Sequence, residues 1–317
     1  MFKKIRTRPV IMDHDGSADD FLSLILLLSM EHIDLLGVSI TPADCYLENA
    51  LETTLKLLTK AKRTNIEIGI GHFHGINAFP ADWRAKPKIL NALPDLIGID
   101  TNPDPSAFRN SQELIIEKLL TAQETVTVLL TGPCSSLVQA IEREPKILNH
   151  IAEVVWMGGA FDVPGNVVTY NHNSTAEWNV FWDPISAKSL LAHQIPVIFI
   201  PLDVTNHVPV TIDFLKKLAN QSSQSWANLA GQFWATTLDT IPTYEYTYFM
   251  WDVLATSFLH IPEAFTLEEA EVDIVTQGAS AGRTYRKANS GYHAKVATDV
   301  NKKLFYNYLL GALSTTY

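Results

Sequence analysis

Along the first 205 or so residues, short unbroken apolar runs alternate with longer runs whose apolar residues recur every three to four positions. Short runs of this kind fill strands buried on both faces, and the longer ones are helical. Strands are predicted at 10–12, 33–40, 66–70, 125–131, 154–157 and 195–200. Helices are predicted at 21–30, 47–62, 111–123 and 135–142, and from Asp183-Pro184 to about 193, with Ser111 capping one and Pro184 opening another. Such alternation implies a parallel sheet with right-handed crossovers.

Beyond 205 the pattern changes: helices at 212–219, 226–240 and 248–260, short strands with polar alternation over 266–298, then a helix at 300–313. The stretch 71–110 carries five prolines after Ala78 (Pro80, Pro87, Pro94, Pro103, Pro105), too many for regular structure. Its aromatics, Phe73, Phe79 and Trp83, argue against disorder, so a functional excursion is expected. With no repeat, low-complexity tract or linker, the expectation is one α/β domain over 1–317. It would be an open, mostly parallel, Rossmann-like sheet flanked by helices, with extra C-terminal helices and short strands.

Composition narrows the function classes. A net charge of −10 argues against non-specific binding to nucleic acid or an anionic membrane. Two cysteines, Cys45 and Cys134, form neither a disulfide framework nor a zinc spacing, so a reducing compartment is expected. The basic start lacks a signal-peptide core, and 21–30 is too short to span a bilayer, which points to the cytoplasm. The Asn173-Ser174-Thr175 acceptor triplet therefore has no secretory context.

Candidate chemistry concentrates at 13–20. Asp13, Asp15, Asp19 and Asp20 fall between a predicted strand and a predicted helix, the junction where open parallel sheets bind ligands. Asp19 and Asp20 sit in the first helical turn, where negative charge is favoured. Four acids this close repel unless neutralised, and oxygen ligands at this density suit a hard cation such as calcium. An EF-hand is excluded, because its sixth and twelfth positions hold Ala18 and Leu24. Asp13 to Ser17 also resembles the strand-end Asp-x-Asp-Gly-Thr of haloacid dehalogenase-type phosphatases, which stands as a rival reading. His72 and His74 have no further partner and are left out as ligands. Further polar clusters follow other strands: Asp44, Thr131-Gly132 and Gly158 to Asn166, with Glu177 and Asn179 beyond.

Together these stretches resemble the nucleoside hydrolases. The family's Asp-x-Asp-x-x-x-Asp-Asp is seen as Asp13-His14-Asp15-Gly16-Ser17-Ala18-Asp19-Asp20. Ala43-Asp44-Cys45, Phe79 to Arg84, Thr131-Gly132-Pro133, Met157 to Ala160, Gly165-Asn166-Val167, Thr175 to Asn179 and Trp251-Asp252 extend the likeness from about 10 to about 255, most similar to the purine-preferring branch. The resemblance implies calcium held by Asp15, Asp20, Asp252 and the Thr131 carbonyl, with Asp15 as the base that activates a water on the metal. It implies that Asp19, Asn166, Glu177 and Asn179 hold the ribose, with Asp44 ordering the pocket. Asp13 is the weaker candidate for direct contact. It further implies that Trp83 and Trp251 sandwich a purine, and that the protein assembles as a dimer or tetramer.

These residue types suit the chemistry. Cleaving an N-glycosidic bond builds positive charge on the ribose, which a carboxylate-rich, metal-organised pocket stabilises. Pyrimidine-tolerant relatives carry His just before the final ligand Asp. Trp251 stands there in this chain, so purine nucleosides are the expected substrate. Each residue also has a plainer account: Trp83 plugging a loop, Trp251 as core, Glu177 and Asn179 as helix-start residues. Ser17 departs from the Asn common in purine-preferring relatives, and 239–249 reads as a lid with Tyr244, Glu245, Tyr246 and Tyr248 in reach of substrate. A non-catalytic nucleoside or ribose sensor is the binding-module alternative.

Overall fold

The computed structural model describes residues 7–81, 84, 89–101, 103–237 and 247–314. Its centre is a sheet of ten strands, built at the predicted apolar runs and the C-terminal alternating stretch, with one further short strand, Arg109–Asn110, at the end of the stretch expected to be irregular. In chain order these are β1 (Arg8–His14), β2 (Ile33–Ile40), β3 (Glu67–Ile70), β4 (Arg109–Asn110), β5 (Val126–Leu130), β6 (Ile151–Met157), β7 (Val197–Ile200), β8 (Phe265–Ile274), β9 (Thr284–Arg286) and β10 (His293–Val300). Their spatial order is β4-β3-β2-β1-β5-β6-β7-β10-β8-β9, parallel from β4 to β10 and antiparallel only where β8 and β9 join. The polar-alternating C-terminal strands thus extend the same sheet, as edge strands with one wet face do.

Each face of β1 feeds a separate core. Val10 and Met12 pack with α1 (Ala18–Leu28), α2 (Leu47–Lys60), α9 (Ser225–Thr237), α10 (Trp251–Ser257) and α11 (Lys302–Leu313). Ile11 packs on the other side with α3 (Ser111–Thr121), α4 (Ser135–Arg143) and α6 (Pro184–Ala192). All eleven residues of α1 are buried, which accounts for its nearly unbroken apolar sequence. The remaining helices are α5 (Trp178–Trp182), α7 (Leu202–Thr205) and α8 (Ile212–Ala219). No described helix is long and apolar enough to cross a membrane.

Two element boundaries differ from expectation for physical reasons. The cap of α3 is Asn110, whose side chain accepts the Gln112 N–H, because Asn110 is drawn into the sheet beside Ile70. Helix α10 starts at Trp251 rather than 248. Val210 N–H donates to Tyr248 O and Met250 N–H to Val208 O, so 248–250 run extended against 208–210.

Candidate active site

The chain runs outward from β1 through β2, β3 and β4, then returns to place β5 on the other side of β1. Strand order reverses there, and the carboxyl ends of such a pair open a crevice. Asp15 follows β1 and Thr131 follows β5 at this point, joined by the Thr131 N–H donating to Asp13 O at 2.9 Å. Gly16 makes the sharp exit: its φ is +85°, and a Cβ would lie 2.7 Å from both Cys45 and Ala50. Ser17 then caps α1, its hydroxyl accepting the Asp20 N–H while the Asp20 carboxylate accepts the Ser17 N–H at 2.7 Å.

Asp15, Ser17, Asp44, Phe79, Thr131, Met157, Asn166, Glu177, Trp178, Asn179, Tyr248, Trp251 and Asp252 line one cleft. Eight expected residues (Asp15, Asp44, Thr131, Asn166, Glu177, Asn179, Trp251, Asp252) are therefore brought together from stretches up to 237 positions apart. Asp19 and Asp20 lie fully buried behind the wall. One oxygen of the Asp19 carboxylate caps α10, accepting the Asp252 N–H at 2.6 Å and the Val253 N–H at 3.4 Å. That bond docks α10 on α1 and sets Asp252 beside the acidic loop. Trp83 and residues 239–246 of the expected lid lie outside the described residues.

The sugar-side candidates hold one another. Glu177 accepts the Asn179, Gly159 and Val180 N–H groups at 2.8, 3.0 and 3.3 Å, fixing its carboxylate at the start of α5. Burial pushes its pKa up to about 7, against the opposing pull of those amides. The Asn179 amide donates to Thr131 O and Met157 O, both at 3.1 Å, which fixes its orientation and leaves its oxygen as the free acceptor. Asn166 Oδ1 accepts the Trp178 N–H at 3.1 Å.

Asn166 depends on a pinch in the backbone. Gly165 N–H donates to Ser174 O, and Asn166 and Val167 N–H both donate to Ala176 O. A Cβ on Gly165 would stand 2.1 Å from that same Ala176 oxygen. Gly165→Ala is therefore expected to lower the melting temperature by about 5 °C and to weaken substrate binding through Asn166. Unchanged melting and unchanged KM would show that the pinch spreads freely.

Aromatic rings form the remaining walls. Phe79 stacks on Trp178 with centroids 4.9 Å apart and planes 26° apart, and Tyr248 meets Trp251 edge-on at 4.7 Å. Tyr248, read from the sequence as part of a lid in reach of substrate, lines the cleft. Phe79, Met157 and Trp178 lay in the stretches that carry the family likeness but had been given no contact of their own.

The carboxylates bear directly on a cation. Burial first, and then Asp20, Asp44 and Asp252, raise the Asp15 pKa well above the usual carboxylate range. Burial, then Asp20 and Asp19, do the same for Asp252. Asp19 Oδ1 and Asp20 Oδ1 are buried with no hydrogen-bond partner. Among the described residues no three His, Cys, Asp or Glu side chains already close on one point. The donor set is nonetheless all oxygen, mutually repelling and short of positive charge, and no Lys, Arg or His is among the described lining residues. Asp15, Asp20, Asp252 and the Thr131 carbonyl fit a hard divalent cation in these respects.

The sequence matches the family model described as inosine-uridine preferring nucleoside hydrolase over residues 10–307. It is similar to a solved inosine-uridine preferring nucleoside hydrolase from Bacillus anthracis, with a TM-score of 0.90 and 35% identity over 97% of this chain and 99% of that one. It is 28% identical to a pyrimidine-specific ribonucleoside hydrolase, RihA, of Shewanella woodyi, covering 98% of this chain and 99% of the relative. It is 25% identical to a probable uridine nucleosidase 2 of Arabidopsis thaliana over 87% of this chain and 85% of that protein.

Proposed function

The chain belongs to the inosine-uridine preferring nucleoside hydrolase family, and we propose that it is a calcium-dependent hydrolase of purine ribonucleosides, releasing free base and ribose. N-glycosidic hydrolysis of ribonucleosides is the activity of the family. Purine preference, the metal's identity and the residue roles are our reading. The observation that carries it is Trp251, standing on the cleft wall immediately before Asp252, where an acid for a poor leaving group would otherwise stand.

Asp15 takes the proton from the attacking water, which adds to the anomeric carbon as the bond to the base breaks. Asn166, Glu177 and Asn179 present oxygen acceptors to the ribose hydroxyls, and Asp19 supports them by fixing Asp252 and α10. The buried carboxylates stabilise the positive charge that develops on the ring. Trp251 offers its face to the base, with Trp83 as the proposed opposite face; stacking favours protonation of a purine at N7 by solvent. Asp15, Asp20, Asp252 and the Thr131 carbonyl would hold calcium, which when bound supplies the positive charge that keeps these acids ionised and makes a nearby water more acidic. The free bases would enter salvage, in a cytoplasmic homo-oligomer built from one domain spanning 1–317.

The phosphatase rival loses its support, because the match over residues 10–307 is to nucleoside hydrolases, and Asp19 and Asp252, which a phosphatase would leave without a role, are joined by a hydrogen bond beside the cleft. A second reading, turnover of pyrimidine nucleosides, is favoured by the names of the relatives with 25% and 28% identity. Base release from inosine, guanosine, adenosine and uridine, without phosphate, separates the two. Release from the purine nucleosides that stops on chelation is expected. Faster release from uridine would overturn the purine preference and leave the reaction standing; release from none would favour a nucleoside sensor.

A further inference from the structure

We propose that Arg84 is a positioning residue for the nucleobase, pinning the aromatic stretch around Phe79 to the turn that follows β2. The inference rests on the proposed nucleoside site but adds a residue to which that reading gives no role. Arg84 N–H donates to Pro80 O at 3.2 Å, so the turn ties Arg84 to the neighbour of Phe79. Phe79 in turn lies flat on Trp178 in the cleft wall.

The side chain of Arg84 reaches the opposite way. Its Nη2–H donates to Cys45 O at 2.8 Å, its Nε–H points at Asp44 O at 3.4 Å, and its guanidinium lies 4.2 Å over the Tyr46 ring. Three features of one turn are thus read by one planar fork. That turn is itself fixed to the acidic loop, since the Cys45 N–H donates to Asp15 O at 2.9 Å and Asp44 lines the cleft. The route from the aromatic wall to the acidic loop therefore runs Phe79, Pro80, Arg84, Cys45, Asp15.

A guanidinium suits this duty better than an ammonium. Adjacent carbonyls need two donors in a rigid plane, and the face over Tyr46 needs a flat cation. The other constraint on Phe79 among the described rings is the stack on Trp178. Loss of Arg84 would loosen the Phe79 side of the cleft, whereas Asn166, Glu177 and Asn179 keep the hydrogen bonds that fix them, none of which involves Arg84.

The test uses the calcium-loaded full chain, with Arg84→Ala and Arg84→Lys compared against the parent. Base release from inosine gives KM and kcat, and free ribose as competitor gives an inhibition constant for a ligand that carries no base. Arg84→Ala is expected to raise KM about tenfold with kcat changed less than about threefold, since base contact is shared by ground and transition states. The ribose constant and the melting temperature are expected to stay put, and Arg84→Lys to fall between parent and Ala. Unchanged KM in Arg84→Ala overturns the proposal. So does a rise in KM matched by an equal loss of ribose affinity, which would mark general loosening. Failure of the parent itself to release base from inosine or uridine would sink the nucleoside reading before any variant is compared.

Discussion

Asp15→Asn is expected to lower kcat about a thousandfold, the loss that follows from removing a positioned base, while nucleoside binding persists. Asn keeps the volume of Asp and one oxygen in the direction of the cleft, so the fold has no cavity to collapse into. It cannot take a proton. The metal-free variant should be at least as heat-stable as the parent, because burial and the neighbouring Asp20, Asp44 and Asp252 all oppose ionised Asp15. Stability gained alongside activity lost is the signature of a charge kept for function. Calorimetry with inosine checks retained binding, and single-turnover base release checks the chemical step. If kcat falls less than about tenfold, another group removes the proton and Asp15 is only a ligand.

The place of Asp15 at the site was legible early, because acids directly after a buried strand have few structural uses; the role proposed for it came only from the family likeness. The β1 sequence places Asp15 at a carboxyl end whatever the remainder of the chain does, and Ser17 with Asp20 marks the helix start. The partner of these acids was far less legible. Asp252 lies 233 positions from Asp19, and it reaches the site because the Asp19 carboxylate caps α10. No local pattern at 248–252 announces that cap. Only the likeness to a family pointed to it.

The proline-rich stretch shows the opposite limit. Its irregularity was plain, but a loop without its own hydrogen-bond ladder takes its shape from what it touches. Gly75 packs so close to Trp182 that a Cβ would lie 2.3 Å from the indole. Asn77 donates to Phe181 O at 2.7 Å, and Lys56, buried under the loop, donates to Asn91 O at 2.8 Å. Each contact joins segments at least 35 positions apart, so the stack of Phe79 on Trp178 emerges only once the whole sheet is assembled. The sheet itself was readable from apolar runs up to β7 except for β4, whose two polar residues end the stretch read as irregular and join the sheet only by pairing with β3. The joining of β10 beside β7 was not, because short alternating strands carry no record of which edge they extend.

In excess chelator, the protein is expected to melt on the order of 10 °C higher at pH 5 than at pH 8. Burial is the first cause in every case. It lifts Asp19 to about 8, Asp13 and Glu177 to about 7, and Asp15 and Asp252 well above the usual range. Unfolded, these groups titrate near pH 4, so between about pH 4 and pH 8 the folded chain holds protons that the unfolded chain has released. Folding stability from them is complete below the unfolded values and is lost as pH rises through the folded ones. His14 and His260 work the other way, since burial favours their neutral forms and acid favours the unfolded, charged ones. Two such groups set against five carboxyls shallow the slope without reversing it. A bound cation would replace the missing protons, so its stabilising effect should grow with pH. Melting curves at pH 5, 6.5 and 8, with chelator and with excess calcium, read both slopes. A chelator curve that is flat or rises toward pH 8, with a calcium increment independent of pH, would mean that the acids are already ionised and paired without a metal.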